Sequence, residues 1–236
     1  KKFSELNETL GEVLVKIQDV CIQKIEYPEW CTFEDGKLSE DEENYKVLRS
    51  DLVNLFSNTL MIPAMKTRAV DIIDNKLVKL KDNVTNFTQN QVELPLFLLT
   101  QIHPVIIRED KDLTNTNYQK LINRFLEVDF MAAQSKIVSI LYFEVWVKFA
   151  SYFVQYPQAI PVVLENFFSE KGVLSQWGKL ASRSSYFLLR FINRLKPQLT
   201  DWAELVFQKT KEVINYAENS QTQLISNDIE NFYEII

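Results

Sequence analysis

Residues 137–153 read IVSILYFEVWVKFASYF. Ile137, Ile140, Leu141, Phe143, Trp146, Val147, Phe149 and Phe153 recur at helical spacing and surround the axis almost completely. A helix that is apolar all round must be covered on all sides. The expectation is a helix sandwiched between neighbours. It is not a membrane span. The longest uncharged stretch, Phe149 to Leu164, carries Pro157, Pro161 and two Gln, so no membrane insertion is expected.

Working outward, apolar residues keep the helical period nearly everywhere. Before the central helix it appears at Leu6, Leu10, Val13, Leu14, Ile17, Cys21 and Ile25, then at Tyr45, Leu48, Leu52, Leu55 and Phe56. A third helix begins at Pro63, and a fourth covers about Asn90 to Ile107 with Pro95 inside it. Further helices are predicted over Thr114–Phe130, Ala132–Val154, Gln158–Phe168, Trp177–Lys196, Gln198–Ala217 and from Gln221 onward. Pro28, Pro63, Pro104, Pro157 and Pro197 fall at or near the proposed ends, where proline is tolerated. Ser39 with Glu42 fits a capping box.

The starts are nearly periodic. Alternate helices begin near 42, 90, 132, 177 and 221, and the intervening ones near 63, 114, 158 and 198. A step of about 40–47 residues is the period of HEAT or armadillo units. The fold class expected is all-α: a right-handed α-solenoid of about five HEAT-like antiparallel helix pairs filling residues 1–236 as one stretch. A helical bundle is the alternative. Lys1-Lys2 runs directly into a periodic helix without an initiator Met or a secretory signal, and reads as part of something longer. Without such a signal the Asn-x-Thr triplets at Asn7, Asn83 and Asn86 read as chance.

Composition excludes several chemistries. Only 4 Gly, 2 Cys and 1 His occur in 236 residues, too few for glycine-rich phosphate loops, a zinc cluster or a disulfide scaffold. No P-loop, dinucleotide or nucleophile-elbow motif occurs. His103 precedes Pro104 and reads as a capping or half-buried residue; Cys21 reads as core. Ser182, Ser184 and Ser185 have no His or Lys at a telling spacing. No enzyme activity, metal or cofactor is expected.

Charge is the remaining signal. The formal net charge is −6, and residues 26–43 hold eight acids (Glu26, Glu29, Glu34, Asp35, Glu40, Asp41, Glu42, Glu43) against Lys37. These residues read as an acidic inter-helix loop, either solvated or docked on a basic protein surface. Residues 171–200 hold six bases and no acid. At ~100° per residue, Lys179, Arg183, Arg190 and Arg194 fall within a ~60° stripe about 23 Å long. Such a row can lie along a phosphate backbone or pair with carboxylates of adjacent helices; the pattern leaves both open.

Two blocks carry a family resemblance. One is Tyr27-Pro28-Glu29-Trp30, then Glu34-Asp35, Glu40-Asp41-Glu42-Glu43, Tyr45, Arg49 and Leu52. The other is Ile160-Pro161, Phe167, Lys171-Gly172-Val173-Leu174 and the run Ser182-Arg183-Ser184-Ser185-Tyr186-Phe187-Leu188-Leu189-Arg190-Phe191. Both resemble, in order and spacing, the middle of the tRNA exportins of the importin-β (karyopherin) superfamily. The first Arg of that family's Arg-Ser-Arg motif is absent, since position 181 is Ala.

The resemblance implies a nuclear export receptor, a longer superhelix of HEAT repeats without catalytic residues. It would bind tRNA cooperatively with Ran-GTP, pass phenylalanine-glycine nucleoporins, and shuttle between nucleus and cytoplasm. Lys179, Arg183, Arg190 and Arg194 are then candidates to approach tRNA or Ran. Glu40, Asp41, Glu42 and Glu43 are candidates for a basic patch on Ran. A HEAT-repeat protein scaffold, or an exportin for a different cargo, is the alternative.

Overall fold

A computed structural model describes residues 2–31, 40–219 and 222–235, with side chains from Thr9 onward. The described residues form helices and turns, with no strand among them. The α-helices are α1 (Lys2–Ile25), α2 (Glu40–Thr59), α3 (Pro63–Lys81), α4 (Gln89–Glu109), α5 (Thr116–Leu126) and α6 (Lys136–Lys148). They continue as α7 (Tyr152–Gln155), α8 (Ile160–Phe167), α9 (Gly178–Leu195), α10 (Ala203–Glu218) and α11 (Ser226–Tyr233).

The helices stack in two rows. α2, α4, α6, α9 and α11 lie side by side in that order, while α1, α3 and α5 form the second row. Leu164 and Phe168, at the end of α8, line a shallow cleft with Leu205 of α10. Side-chain bonds between successive pairs preserve the sequence period. Lys66 pairs with Glu109 across 43 residues, Arg49 with Glu93 across 44 and Ser135 with Gln89 across 46. Asn231 reaches Ser185 across 46 and Arg194 reaches Val147 across 47. Each helix pair thus bonds to the next at a nearly constant offset, the arrangement of an α-solenoid.

α6 is buried between neighbours, as its composition demands. Trp146 is fully buried and packs on Phe125 of α5 at 4.8 Å between centroids. Phe143 stacks on Phe167 of α8 at 4.2 Å, and Phe167 meets Phe191 of α9 at 5.5 Å. Cys21 is a buried core thiol.

Several boundaries differ from the sequence reading. The stretch predicted as one helix over Ala132–Val154 is a 3-10 turn at Phe130–Ala133, then α6, then the four-residue α7. Gln134 takes a left-handed backbone (φ 49°) and separates the first two pieces. The carbonyls left open at the end of α6 are taken by side chains from other repeats. Arg194 donates to Val147 O, and His103 Nε2–H donates to Lys148 O at 2.8 Å.

Pro104, expected near a helix end, lies inside α4 together with Pro95. Proline has no N–H, so the carbonyl four residues earlier, Thr100 O, loses its helical donor. Lys148 Nζ supplies the missing bond at 3.2 Å from the next repeat. The predicted helix Gln198–Ala217 is a 3-10 stretch, Lys196–Trp202, leading into α10. α4 begins on a capping box that the sequence reading overlooked: Thr88 Oγ1 accepts from Gln91 N, and Gln91 Oε1 accepts from Thr88 N.

Glu40–Glu43, assigned to the acidic loop, form the first turn of α2. Four carboxylates there face the positive end of the helix dipole, which favours helix over loop. Glu34, Asp35 and the proposed cap Ser39 lie outside the described residues.

Candidate nucleic-acid interface

α9 sits between α6 and α11 and turns one face inward: Leu180, Leu188, Phe191, Ile192 and Leu195 are buried. Lys179, Arg183, Arg190 and Arg194 are all exposed on the other side. No ion pair joins any of the four to a carboxylate among the described residues. Of the two arrangements open to the sequence, pairing with neighbouring acids is therefore not the one adopted there.

Aromatic rings take the place of carboxylates. Arg190 Nη1 donates to the Tyr186 hydroxyl at 3.0 Å, and its guanidinium carbon lies 5.6 Å from the same ring centroid. Arg183 lies 5.7 Å from Tyr186 and 4.9 Å from Phe187. Lys179 Nζ is 6.0 Å from the Trp177 ring, and Lys136 Nζ of α6 is 4.6 Å from it. These are cation–π distances; they orient a cation without neutralising it. Arg194 is anchored differently, on Val147 O. Burial and then the neighbouring Arg190 charge pull its pKa below the ordinary value.

The sequence reading missed Lys136, Trp177 and Tyr186. A signal for Lys136 was present, because it precedes Lys179 by 43 residues, one repeat. Trp177 and Tyr186 were hidden because aromatic residues at helical spacing elsewhere in the chain are core.

At the other end of the stack, Glu40, Asp41 and Glu43 are exposed, and Glu42 is half-buried. One and two turns further along α2 come Tyr45 and Arg49. The Tyr45 hydroxyl lies 2.5 Å from Lys24 O and 2.7 Å from Glu26 O, closing the end of α1. Arg49 Nε donates to Ile25 O at 2.8 Å, while Nη2 lies 2.8 Å from both carboxylate oxygens of Glu93. The guanidinium lies 3.8 Å from the Tyr27 ring centroid and 3.9 Å from that of Phe97. Both charges are buried, and burial pushes the Glu93 carboxyl up to about 7 against the opposing pull of Arg49. The Tyr27–Tyr45–Arg49 pattern of the first sequence block is therefore a clasp joining α1, α2 and α4.

No comparable set of groups is arranged for bond chemistry among the described residues. A polar cleft of about 230 Å³ between α3 and α5 holds Lys66, Asp74, Glu109 and Lys120, but Lys66 pairs with Glu109 and Lys120 with Asp74. His103 is half-buried against Phe149, and burial pushes its pKa down to about 4, so it is neutral at pH 7. No group of three or more His, Cys, Asp or Glu side chains could hold a metal ion among the described residues. No helix there is long and apolar enough to cross a membrane.

Comparison with known proteins adds an independent finding. The family model described as Exportin-T matches residues 1–232. The chain is similar to Exportin-T of Danio rerio, 24% identical over 236 residues, covering 97% of this chain and 24% of that protein. It is also similar to Exportin-T of Homo sapiens, 23% identical over 235 residues, covering 97% of this chain and 24% of that protein. Exportin-T of Arabidopsis thaliana is 22% identical over 176 residues, covering 75% of this chain and 18% of its own length. The chain thus spans about a quarter of the length of the first curated relatives it matches.

Proposed function

From the premise that this chain belongs to the exportin-T family, we propose that it is a section of a nuclear export receptor for tRNA that binds its cargo cooperatively with Ran-GTP. The observation that carries this reading is the row of Lys179, Arg183, Arg190 and Arg194, exposed on α9 and without carboxylate partners among the described residues. A helix that keeps four cations in one row with no acid pairing has a surface suited to a polyanion. Phosphate contacts of this kind position an RNA by shape and make affinity fall steeply with salt.

The mechanism is one of linkage. Ran-GTP and tRNA each favour one pitch of the solenoid, so each raises the other's affinity by the same factor. Small rotations at each repeat interface sum to a large change in span. Glu40, Asp41, Glu42 and Glu43, at the start of α2, offer a negative surface for a basic patch on Ran, which would chiefly speed association. The receptor carries out no bond chemistry itself. It shuttles between nucleus and cytoplasm through contacts with phenylalanine-glycine nucleoporins.

The test is equilibrium binding of tRNA to the full-length protein, with and without Ran-GTP, across a salt series. Mutual enhancement with a steep salt slope is expected. Reversing all four α9 charges should weaken tRNA binding at least tenfold and flatten the slope. A loss of Ran affinity instead would reassign the row to Ran, and no change in either affinity would remove it from the interface. Ran binding without tRNA enhancement would keep the transport role and reopen the cargo. Absence of Ran binding would leave a helical-repeat scaffold.

A further inference from the structure

Tyr186 occupies an unusual place on α9. Its side chain is large, yet the residue is 40% exposed. It lies three residues after Arg183 and four before Arg190, the two spacings that bring helical neighbours together. Both guanidinium groups approach the one ring, at 5.7 and 5.6 Å, and the hydroxyl accepts from Arg190.

On an exposed helix face the ordinary residue between two such arginines is Glu. It would order both side chains by ion pairing, and in doing so would cancel charge. A tyrosine orders them and leaves the charge intact.

We infer that Tyr186 is a positioning residue for polyanion binding, holding Arg183 and Arg190 as a prearranged pair of guanidinium groups aimed at a phosphodiester backbone. The inference rests on the reading above that the α9 row meets RNA. Free arginine side chains lose much rotamer freedom when they bind. A ring that already orders two of them removes part of that loss before the ligand arrives. The ring itself adds no charge, so its effect lies in affinity and not in the number of counterions released.

This separation gives the test, made on the full-length protein with an unmodified tRNA transcript and saturating Ran-GTP. Tyr186→Leu is expected to weaken tRNA binding about five- to tenfold with the melting temperature and the salt slope unchanged. Tyr186→Phe keeps the ring and loses the hydroxyl, so it should weaken binding about two- to threefold. Arg183→Gln with Arg190→Gln should weaken binding and reduce the salt slope by roughly two.

Wild-type affinity in both Tyr186 variants, beside a weakened arginine pair, would overturn the positioning role and leave the RNA reading standing. Unchanged affinity and slope in the arginine pair would overturn the RNA reading and this inference with it. A lowered melting temperature in Tyr186→Leu, with wild-type tRNA affinity in Tyr186→Phe, would make Tyr186 a structural residue and also overturn the role.

Discussion

Arg49 joins three helices through one side chain: it closes the end of α1 at Ile25 O, belongs to α2, and meets Glu93 of α4. Removing it leaves a buried carboxylate without a partner. Arg49→Met should lower the stability of the α1–α2–α4 end by about 3–5 kcal/mol at pH 8, read from amide hydrogen exchange in α2. Combining it with Glu93→Leu should recover most of that loss, because two apolar side chains need no compensation.

The same carboxyl sets a pH dependence. Glu93 titrates at about 7 in the folded chain and near ~4.3 when unfolded. Between those values the folded state holds a proton that the unfolded state has released. Its contribution to stability is therefore fully present at low pH and is lost as pH rises towards and through 7. Glu93→Gln should remove that component from a stability profile taken between pH 5 and 8. The penalty of Arg49→Met should be smaller at pH 5, where Glu93 is neutral.

In the sequence, Arg49 was visible only as part of a resembling block. Its partner lies one repeat away, and a pattern read along single helices does not look that far. His103 was legible in part: it is half-buried, as read, but it lies inside α4 and caps the end of α6 instead of its own helix.

At the scale of elements, the central helix was the most legible part of the chain. An apolar circumference admits one solution, and Trp146 at its centre is fully buried. Trp146→Ala should destabilise by about 3–5 kcal/mol. The break after Lys148 was not legible, because nothing within residues 137–153 interrupts the period. The carbonyls that the break leaves open are capped by His103 and Arg194, which belong to the repeats on either side.

The turn after α8 shows the opposite case, a local necessity. A Cβ on Gly172 would lie 2.3 Å from Phe167 O, the carbonyl that accepts from Val173 N at 2.9 Å. Gly172→Ala should therefore cost about 1–3 kcal/mol, measured as a fall in the urea midpoint at unchanged slope. Glycine at this position appeared in the second sequence block, but its reason is a contact with backbone.

For the whole molecule, the repeat step was legible to within a few residues, and bonds at 43, 44, 46 and 47 residues repeat it in space. Stability should therefore be graded along the stack. α6 lies among large apolar rings of α5, α8 and α9, whereas the short α11 brings one buried ring, Phe232, and the Ser182–Asp228 and Asn231–Ser185 bonds. Amide hydrogen exchange should be slowest in α6 and faster in α10 and α11, in separate steps. Equal protection throughout would mean that the chain behaves as one cooperative block. Ser182 and Ser185, which had no catalytic partner in the sequence, thus find their use in this joint. Which of the two rows faces a ligand was beyond the reach of pattern. The α9 row could be placed on a helix from its spacing, but its lack of carboxylate partners among the described residues depends on what every neighbouring repeat presents.

The proline within α4 has a consequence for biosynthesis. Thr100 O has no donor until Lys148 has been made, 44 residues after Pro104. At ~5–20 residues per second a ribosome needs roughly 2–9 s to supply it. α4 therefore leaves the exit tunnel with an open rung, and its successor closes it. α4 is thus finished by a helix translated after it, so its folding trails its synthesis by about one repeat.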